Sequence, residues 1–87
     1  MKQQNFRYYQ SIGANIGKYR RERKMTQEQL AELADRSVPY ISHLECALKV
    51  PSVDTLIAIA EALCVPLDWL SKMEEALEVQ PKNCGRD

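Results

Sequence analysis

Apolar residues early in the chain recur at the spacing of an amphipathic helix. Ile12, Ile16 and Tyr19 stand at positions i, i+4 and i+7, and side chains with this spacing share one face of a helix. Ser11 precedes them and is a suitable N-cap, because its hydroxyl can accept a hydrogen bond from an unpaired backbone N–H. The pattern predicts a helix from residue 11 to about residue 24, with its basic side chains facing solvent.

Two short helices are predicted next, over about residues 27–34 and 38–47. Thr26 precedes the first of them, and Gln29 follows three residues later. This is the spacing of a capping box, in which each side chain bonds the other residue's backbone N–H. Ser37 stands in the corresponding position before the helix over about residues 38–47 and can cap it. The short break between the helices predicts a tight turn.

Helical patterns continue beyond these two helices, and no stretch predicts a strand. A fourth helix is predicted over about residues 53–63 and a fifth over about residues 66–78. Met73 and Leu77 extend the apolar stripe of the fifth helix. The sequence therefore predicts an all-α fold with five helices.

The length of 87 residues suits one domain with one modest core. We expect that domain to cover residues 11–78. Residues 1–10 are predicted to form an N-terminal arm or a leading helical turn, and residues 79–87 a flexible tail.

The charge is balanced overall but uneven along the chain. Twelve Lys and Arg residues offset twelve Asp and Glu residues. Residues 1–24 hold seven basic residues and one acidic residue, which leaves five basic and eleven acidic residues for 25–87. A basic segment is compatible with a polyanionic partner, but most nucleic-acid-binding domains are more basic overall. Charge alone therefore does not indicate the partner.

The other chemically active residues favour neither a catalytic site nor a metal site. The chain has three widely spaced cysteines and one histidine, which gives no zinc-ligand spacing and indicates reduced thiols. No Gly-rich phosphate loop or nucleophile–base set is present, so we expect no enzyme activity and no cofactor. No apolar run has the length of a membrane span, and the N-terminus lacks a signal-peptide pattern. We expect a cytoplasmic protein without membrane contact.

The third predicted helix has two unlike faces when it is projected at about 100° per residue. The inward arc holds Tyr40, Ile41, Leu44 and Leu48. The outward arc holds Val38, Pro39, Ser42, His43 and Cys46. An outward face without Lys or Glu is unusual for a helix that meets only solvent, and the absence of acids suits a negatively charged partner. Glu45 lies at the border, and Arg20 on the first helix is its candidate ion-pair partner.

Residues 27–46 resemble the helix-turn-helix of lambda-repressor/Cro-like (Xre-type) regulators. The residues that carry this likeness are Gln27, Leu30, Ala31, Ala34, Ser37, Tyr40, Ile41, Ser42, Glu45, Pro51 and Ser52. Residues 54–70 are similar to the family's fourth and fifth helices, so the resemblance covers roughly residues 11–71. It implies a compact lambda-repressor-like DNA-binding domain. Asp35 stands in the turn where the family usually has Gly with a positive φ, a region that Asp tolerates better than most residues.

The resemblance implies that four residues of the third helix contact base edges in the major groove. His43 could donate to guanine N7 or O6, and Val38 or Pro39 could touch a thymine methyl group. Ser42 could reach either a base or a phosphate.

The resemblance also implies roles for four residues outside base recognition. Gln27 would contact a phosphate at the N-terminus of the second helix, where the helix dipole is positive. Lys49 would contact a phosphate from the loop after the third helix. Arg20 and Glu45 would form a structural ion pair and read no base.

The chain departs from the family pattern after the third helix. The family commonly has a basic residue, Gly and another basic residue there, whereas this chain has Cys46, Ala47 and Leu48. Loss of Gly places a side chain at a left-handed cap, which costs about 1 kcal/mol. Loss of the basic side chains removes phosphate contacts, which supply much of DNA affinity. We expect weak binding by a monomer.

Two classes of function remain open from the sequence. The first is a sequence-specific DNA-binding transcriptional regulator that binds a pseudo-palindromic operator as a homodimer. The alternative is a protein-interaction module, such as an antitoxin or accessory regulator, whose main partner is another protein and whose DNA binding is weak. A salt series of DNA affinity separates them, because phosphate binding must release counterions.

Overall fold

Five helices form the part of the chain that the structure describes. The computed structural model describes residues 3–72, with side chains from residue 7 onward. The helices are α1 (Gln3–Glu22), α2 (Gln27–Ala34), α3 (Val38–Glu45), α4 (Val53–Leu63) and α5 (Leu67–Ser71). No strand occurs within residues 3–72, and the prediction of an all-α fold with five helices is confirmed. None of these described helices combines the length and the apolarity that a bilayer-spanning segment needs.

Side-chain caps determine where α2, α3 and α4 begin. The Thr26 hydroxyl accepts from the Gln29 backbone N–H at 3.0 Å, and the Gln29 side-chain oxygen accepts from the Thr26 backbone N–H at 2.9 Å. The predicted capping box is therefore confirmed. Ser37 and Ser52 each accept a hydrogen bond from the backbone N–H three residues later. The predicted bounds of α2 and α4 match the structure, while α3 ends at Glu45, two residues early.

The first helix begins earlier than predicted, and the fifth has fewer described residues. α1 begins eight residues before the predicted start, and Ser11 is buried inside the helix. The prediction of Ser11 as an N-cap is wrong, because the helical pattern continues toward the N-terminus through Tyr9, which packs against the core. α5 ends at Ser71. The predicted extension of the fifth helix, with Met73 and Leu77, lies outside the described residues.

One apolar core joins the helices and sets the position of α3. α1 packs against α3 and α5, and α2 packs against α3 and α4. The largest fully buried apolar side chains are Ile16, Leu30, Ile41, Leu44, Ile59, Leu63 and Leu70. Burial of one such side chain contributes about 1.5–3 kcal/mol. Every helix supplies at least one of them, and α3 is held in this core by its packing against α1 and α2.

α1 and α3 approach each other closely at Gly13. A Cβ atom at this position would lie 2.4 Å from the carbonyl oxygen of Leu44 and 2.9 Å from that of Glu45. Both neighbours are backbone atoms, so they cannot move aside as a side chain could. Gly13 therefore permits the short distance between the two helices.

α1, α2, α3 and α4 all end in the same backbone turn. The residues in the left-handed region are Lys24, Asp35, Ala47 and Cys64, with φ values of 55°, 58°, 61° and 60°. In each turn this residue's N–H bonds the carbonyl three residues back, and the next N–H bonds the carbonyl five residues back. This is the Schellman motif, which usually has Gly at the left-handed position. Asp35 and Ala47, at the two positions where the family usually has Gly, both adopt the left-handed conformation.

The turn at Ala47 explains why Leu48 does not join the core. The helical projection placed Leu48 on the inward arc, but its side chain is 61% exposed. The projection is wrong there because α3 has already ended at Glu45 and the chain changes direction. Ala47 is buried at this point instead.

Candidate nucleic-acid interface

The first turn of α3 presents its side chains to solvent. Val38 and Pro39 are exposed, and His43 one turn later is half-buried. Pro39 disrupts nothing, since the first turn of a helix has no internal partner for its N–H groups. The outward position predicted for Val38 and Pro39 is confirmed. The first turn of α3 therefore offers solvent a short surface to which it contributes no acidic side chain of its own.

Ser42 and Cys46 lie closer to the interior than the projection predicted. Ser42 is only 8% exposed, because α1 and α2 pack on α3 from two sides and cover more than a narrow stripe. Cys46 is half-buried and disulfide-bonded. The expectation of reduced thiols is therefore wrong at Cys46, whereas Cys64 is free and exposed.

The predicted ion pair between Arg20 and Glu45 is present and links α1 to α3. Arg20 Nε donates to Glu45 Oε2 at 2.7 Å, and Arg20 Nη2 donates to Glu45 Oε1 at 3.2 Å. Arg20 Nη1 also donates to the Met25 carbonyl at 2.9 Å. The two side chains are 13% and 8% exposed, so the bidentate geometry neutralises charges that water scarcely reaches. Glu45 is thereby prevented from repelling a nearby phosphate.

Gln27 joins this ion pair from the first turn of α2. Its side-chain Nε2 donates to Glu45 Oε1 at 3.0 Å. Gln27 is half-buried, and its backbone lies at the helix N-terminus, where unpaired N–H groups and the dipole favour an anion. One carboxylate thus holds the start of α2, the end of α3 and α1 in register.

A cleft lies beside α3 and was not foreseen from the sequence. It has a volume of about 530 Å³ and is lined by Asp35, Arg36, Ser37, Pro39, Tyr40, His43 and Lys49. Two of the residues expected to contact DNA bases thus share a cavity with Lys49, which was expected to contact a phosphate. No sequence signal pointed to this cleft, because its lining residues come together only in the folded protein.

The basic residues at the end of α1 serve the fold as well as the surface. Arg23 Nε donates to the Leu63 carbonyl at 2.7 Å, and its Nη2 donates to the Cys64 carbonyl at 3.3 Å. Arg23 therefore caps the C-terminus of α4, where the helix dipole favours a cation. Lys18 lies 5.1 Å from the centre of the Tyr19 ring. Nothing in the sequence signalled the Arg23 contact, because its acceptors lie some forty residues away.

The geometry of α2 and α3 agrees with the comparison to protein families. A family model described as helix-turn-helix matches residues 16–70, which is more than half of the chain. The chain belongs to the Xre/lambda-repressor-like helix-turn-helix family. Among its described residues, no group of three or more His, Cys, Asp or Glu side chains is placed to hold a metal ion.

Individual members of the helix-turn-helix family resemble this chain over the same region. The immunity repressor protein of Bacillus phage phi105 is 45% identical over 53 residues, which cover 61% of this chain and 37% of the repressor. The uncharacterized HTH-type transcriptional regulator y4dJ of Sinorhizobium fredii is 39% identical over 54 residues, covering 62% of this chain and 70% of that protein. This chain thus matches little more than a third of the phage repressor's length.

A solved structure also shares the helix-turn-helix fold. The crystal structure of the clp gene regulator ClgR from C. glutamicum superposes with a TM-score of 0.70 and 27% sequence identity, covering 72% of this chain and 82% of that chain. The likeness agrees with the all-α fold of this chain.

Proposed function

We propose that this chain is a transcriptional regulator that binds double-stranded DNA with α3 in the major groove. The observation that carries the proposal is the exposed, acid-free first turn of α3 on a helix fixed by the Arg20–Glu45 pair. A recognition helix must protrude and must also be rigid, because base contacts need a fixed register. Family membership and the named regulators among its relatives support the same function.

Four residues of α3 form the proposed base-reading set. Val38 and Pro39 offer apolar contact to a thymine methyl group, and His43 offers a donor to guanine N7 or O6. Ser42 completes the set from a more covered position, from which its hydroxyl would reach a base or a phosphate at close approach. Each good contact contributes about 1–3 kcal/mol of discrimination between bases.

Gln27 and Lys49 are the proposed phosphate contacts. Gln27 stands at the N-terminus of α2, and Lys49 is exposed in the loop between α3 and α4. They flank α3 in sequence on opposite sides. Such contacts position the protein on the duplex and carry no sequence information directly.

We infer that the regulator acts as a homodimer on a pseudo-palindromic operator. Two copies of α3 related by a two-fold axis would enter successive major grooves about 34 Å apart. α1 and α5 pack against each other and carry the exposed apolar side chains of Tyr8, Leu67 and Trp69. These two helices are the candidate dimer surface, because burial of such side chains favours association.

Fluorescence anisotropy with duplex pools of random sequence tests DNA binding. We expect saturable binding that weakens steeply as salt rises from about 50 to 200 mM, and enrichment of a two-fold symmetric sequence after selection. A change in anisotropy at about 50 mM salt that is no larger than the change with an acidic control protein would refute the proposal.

Exposed apolar side chains away from α3 favour a second candidate, a protein-interaction module. Leu33 and Leu48 are each 61% exposed and Val53 is 67% exposed, and the chain has no net charge. If a polypeptide is the main partner, log K for DNA plotted against log salt has a slope near zero. A slope of several units favours the regulator instead.

A further inference from the structure

The cleft beside α3 brings cationic and hydrogen-bonding groups together from separate parts of the chain. Arg36 comes from the turn between α2 and α3, Tyr40 and His43 come from α3, and Lys49 comes from the loop after it. The cleft is open to solvent, and its volume of about 530 Å³ exceeds what a single ion requires.

Arg36 is held in place before any ligand arrives. Its Nε donates to the Thr55 hydroxyl at 3.3 Å, and its Nη1 donates to the carbonyls of Ala34 and Asp35 at 3.1 and 2.9 Å. Its Nη2 has no hydrogen-bond partner among the residues that the structure describes. A guanidinium that is already ordered loses less conformational entropy when it binds a phosphate.

The Thr55 contact also ties Arg36 to the start of α4. Ser52 caps α4, and its hydroxyl donates to Thr55 Oγ1 at 3.1 Å. The guanidinium is therefore positioned by α2 and by α4 at once. This anchoring distinguishes Arg36 from an ordinary surface arginine, whose side chain moves freely.

We propose that the cleft binds the sugar-phosphate backbone of the DNA strand next to α3, with Arg36 and Lys49 on one phosphate. Tyr40 donates its hydroxyl to the same backbone segment, while His43 and Pro39 on the neighbouring wall face the base edges. The proposal rests on the proposed DNA-binding function and deepens it by assigning backbone contacts to Arg36 and Tyr40.

The assignment accounts for the missing basic residues after α3. The residues that directly follow α3 are Cys46, Ala47 and Leu48, and none of them is basic. Arg36 supplies a second positive charge beside Lys49 from another part of the chain. The Asp35 carboxylate lies in the same cleft and opposes them, which leaves one net positive charge when His43 is neutral.

A salt series on charge-neutralised variants tests the assignment. The probe is a duplex that the wild-type protein has selected from a random pool. Lys49→Gln and Arg36→Gln should each lower the slope of log K against log salt by about 0.9, and the double variant by about twice that. Lys72→Gln is the matched control, since Lys72 is exposed and lies outside the cleft.

Lys49→Gln keeps the test valid even if Arg36→Gln unfolds the turn. Lys49 is exposed in the loop after α3, so its variant should fold as the wild type does. If the wild type binds with a steep salt slope and Lys49→Gln has the slope of Lys72→Gln, the cleft assignment is wrong while the proposed function stands. If the wild type has no salt-dependent binding, the proposed function itself fails.

A second arm separates DNA phosphate from a free anion. In a series of duplexes, each carries one methylphosphonate at a different backbone position. The affinity of the wild-type protein should fall when the methylphosphonate lies at one particular position per half-site. The affinity of the Arg36→Gln/Lys49→Gln double variant should not change when the methylphosphonate is placed at that position. If no position distinguishes the two proteins, and inorganic phosphate saturates the cleft in an NMR titration without DNA, the ligand is a small anion and the assignment is overturned.

Removal of the opposing charge gives a test in the other direction. Asp35→Asn keeps a residue that tolerates the left-handed turn and removes the carboxylate from the cleft. We expect tighter binding to every duplex sequence by a similar factor. Unchanged or weaker binding by this variant would contradict a backbone phosphate in the cleft.

Discussion

Replacement of Gly13 by Ala should destabilise the domain even though Ala favours helices. The new Cβ would lie 2.4 Å from the Leu44 carbonyl oxygen, whereas the closest ordinary carbon–oxygen contacts are about 3.3 Å. α1 and α3 must therefore separate by about 1 Å. The same shift strains the bidentate contact between Arg20 and Glu45, which joins these two helices.

The magnitude follows from two opposing effects. Overpacking of a tight contact costs about 1–3 kcal/mol, and more when only backbone can yield. Replacement of Gly by Ala within a helix raises the free energy of unfolding by about 1 kcal/mol. Because the obstructing atoms at Gly13 are carbonyl oxygens, we expect a net loss of about 2 kcal/mol in the free energy of unfolding.

Gly17→Ala is the matched control, one helical turn further along α1. A Cβ there would meet Arg21 Nη1 at 3.1 Å and Glu45 Oε1 at 3.4 Å, which are the ends of side chains. Arg21 Nη1 can move aside, and 3.4 Å to Glu45 Oε1 is an ordinary contact, so the helix preference of Ala should dominate and stabilise the variant by up to about 1 kcal/mol.

Urea denaturation followed by circular dichroism measures the two free energies of unfolding. The two variants should differ by about 3 kcal/mol, which corresponds to roughly 12–24 °C in melting temperature for a domain of this size. A Gly13→Ala variant as stable as Gly17→Ala would show that the close approach of α1 and α3 does not constrain the fold.

Three further predictions concern single side chains. Glu45→Ala should lower the free energy of unfolding by about 3 kcal/mol in thermal or urea melts, because it leaves Arg20 with an unpaired, nearly buried charge. Base preference should not change. An unchanged melting temperature would refute this prediction. His43→Ala should relax base preference at one position per half-site in a binding-site selection, whereas Gln27→Ala should weaken all sequences alike; identical behaviour would contradict the division between base and phosphate contacts. Asn15→Leu should destabilise the domain by about 1–3 kcal/mol in urea melts, because the carbonyls of Leu70 and Lys72 lose their hydrogen-bond donor. A variant as stable as the wild type would show that these two hydrogen bonds do not contribute to stability.

Local signals predicted the central helices well. Thr26 and Ser37 marked the starts of α2 and α3, because a cap is formed by residues three positions apart and needs no tertiary information. The apolar spacing defined α4 for the same reason. The resemblance to a known family added the ion pair of Arg20 with Glu45, which apolar spacing cannot reveal.

Features that depend on tertiary packing were missed or placed wrongly. Ser11 has the chemistry of a cap but is enclosed within α1, and no local rule distinguishes the two roles. Ser42 is covered because two helices pack on α3, and Leu48 is exposed because a turn intervenes. The contacts of Arg23 and Arg36 with carbonyls and a hydroxyl depend on chain segments that meet only in the folded protein.

The left-handed residues that end α1 and α4 make the domain less stable than it could be, because neither is Gly. Lys24 and Cys64 are both exposed in that conformation, and Gly at each site would relieve about 1–2 kcal/mol of backbone strain, partly offset by the greater freedom of Gly in the unfolded chain. Neither site belongs to α3 or its cleft, and effects at separate sites of this kind add. Heat resistance can therefore be raised stepwise in this domain without altering the surface of α3.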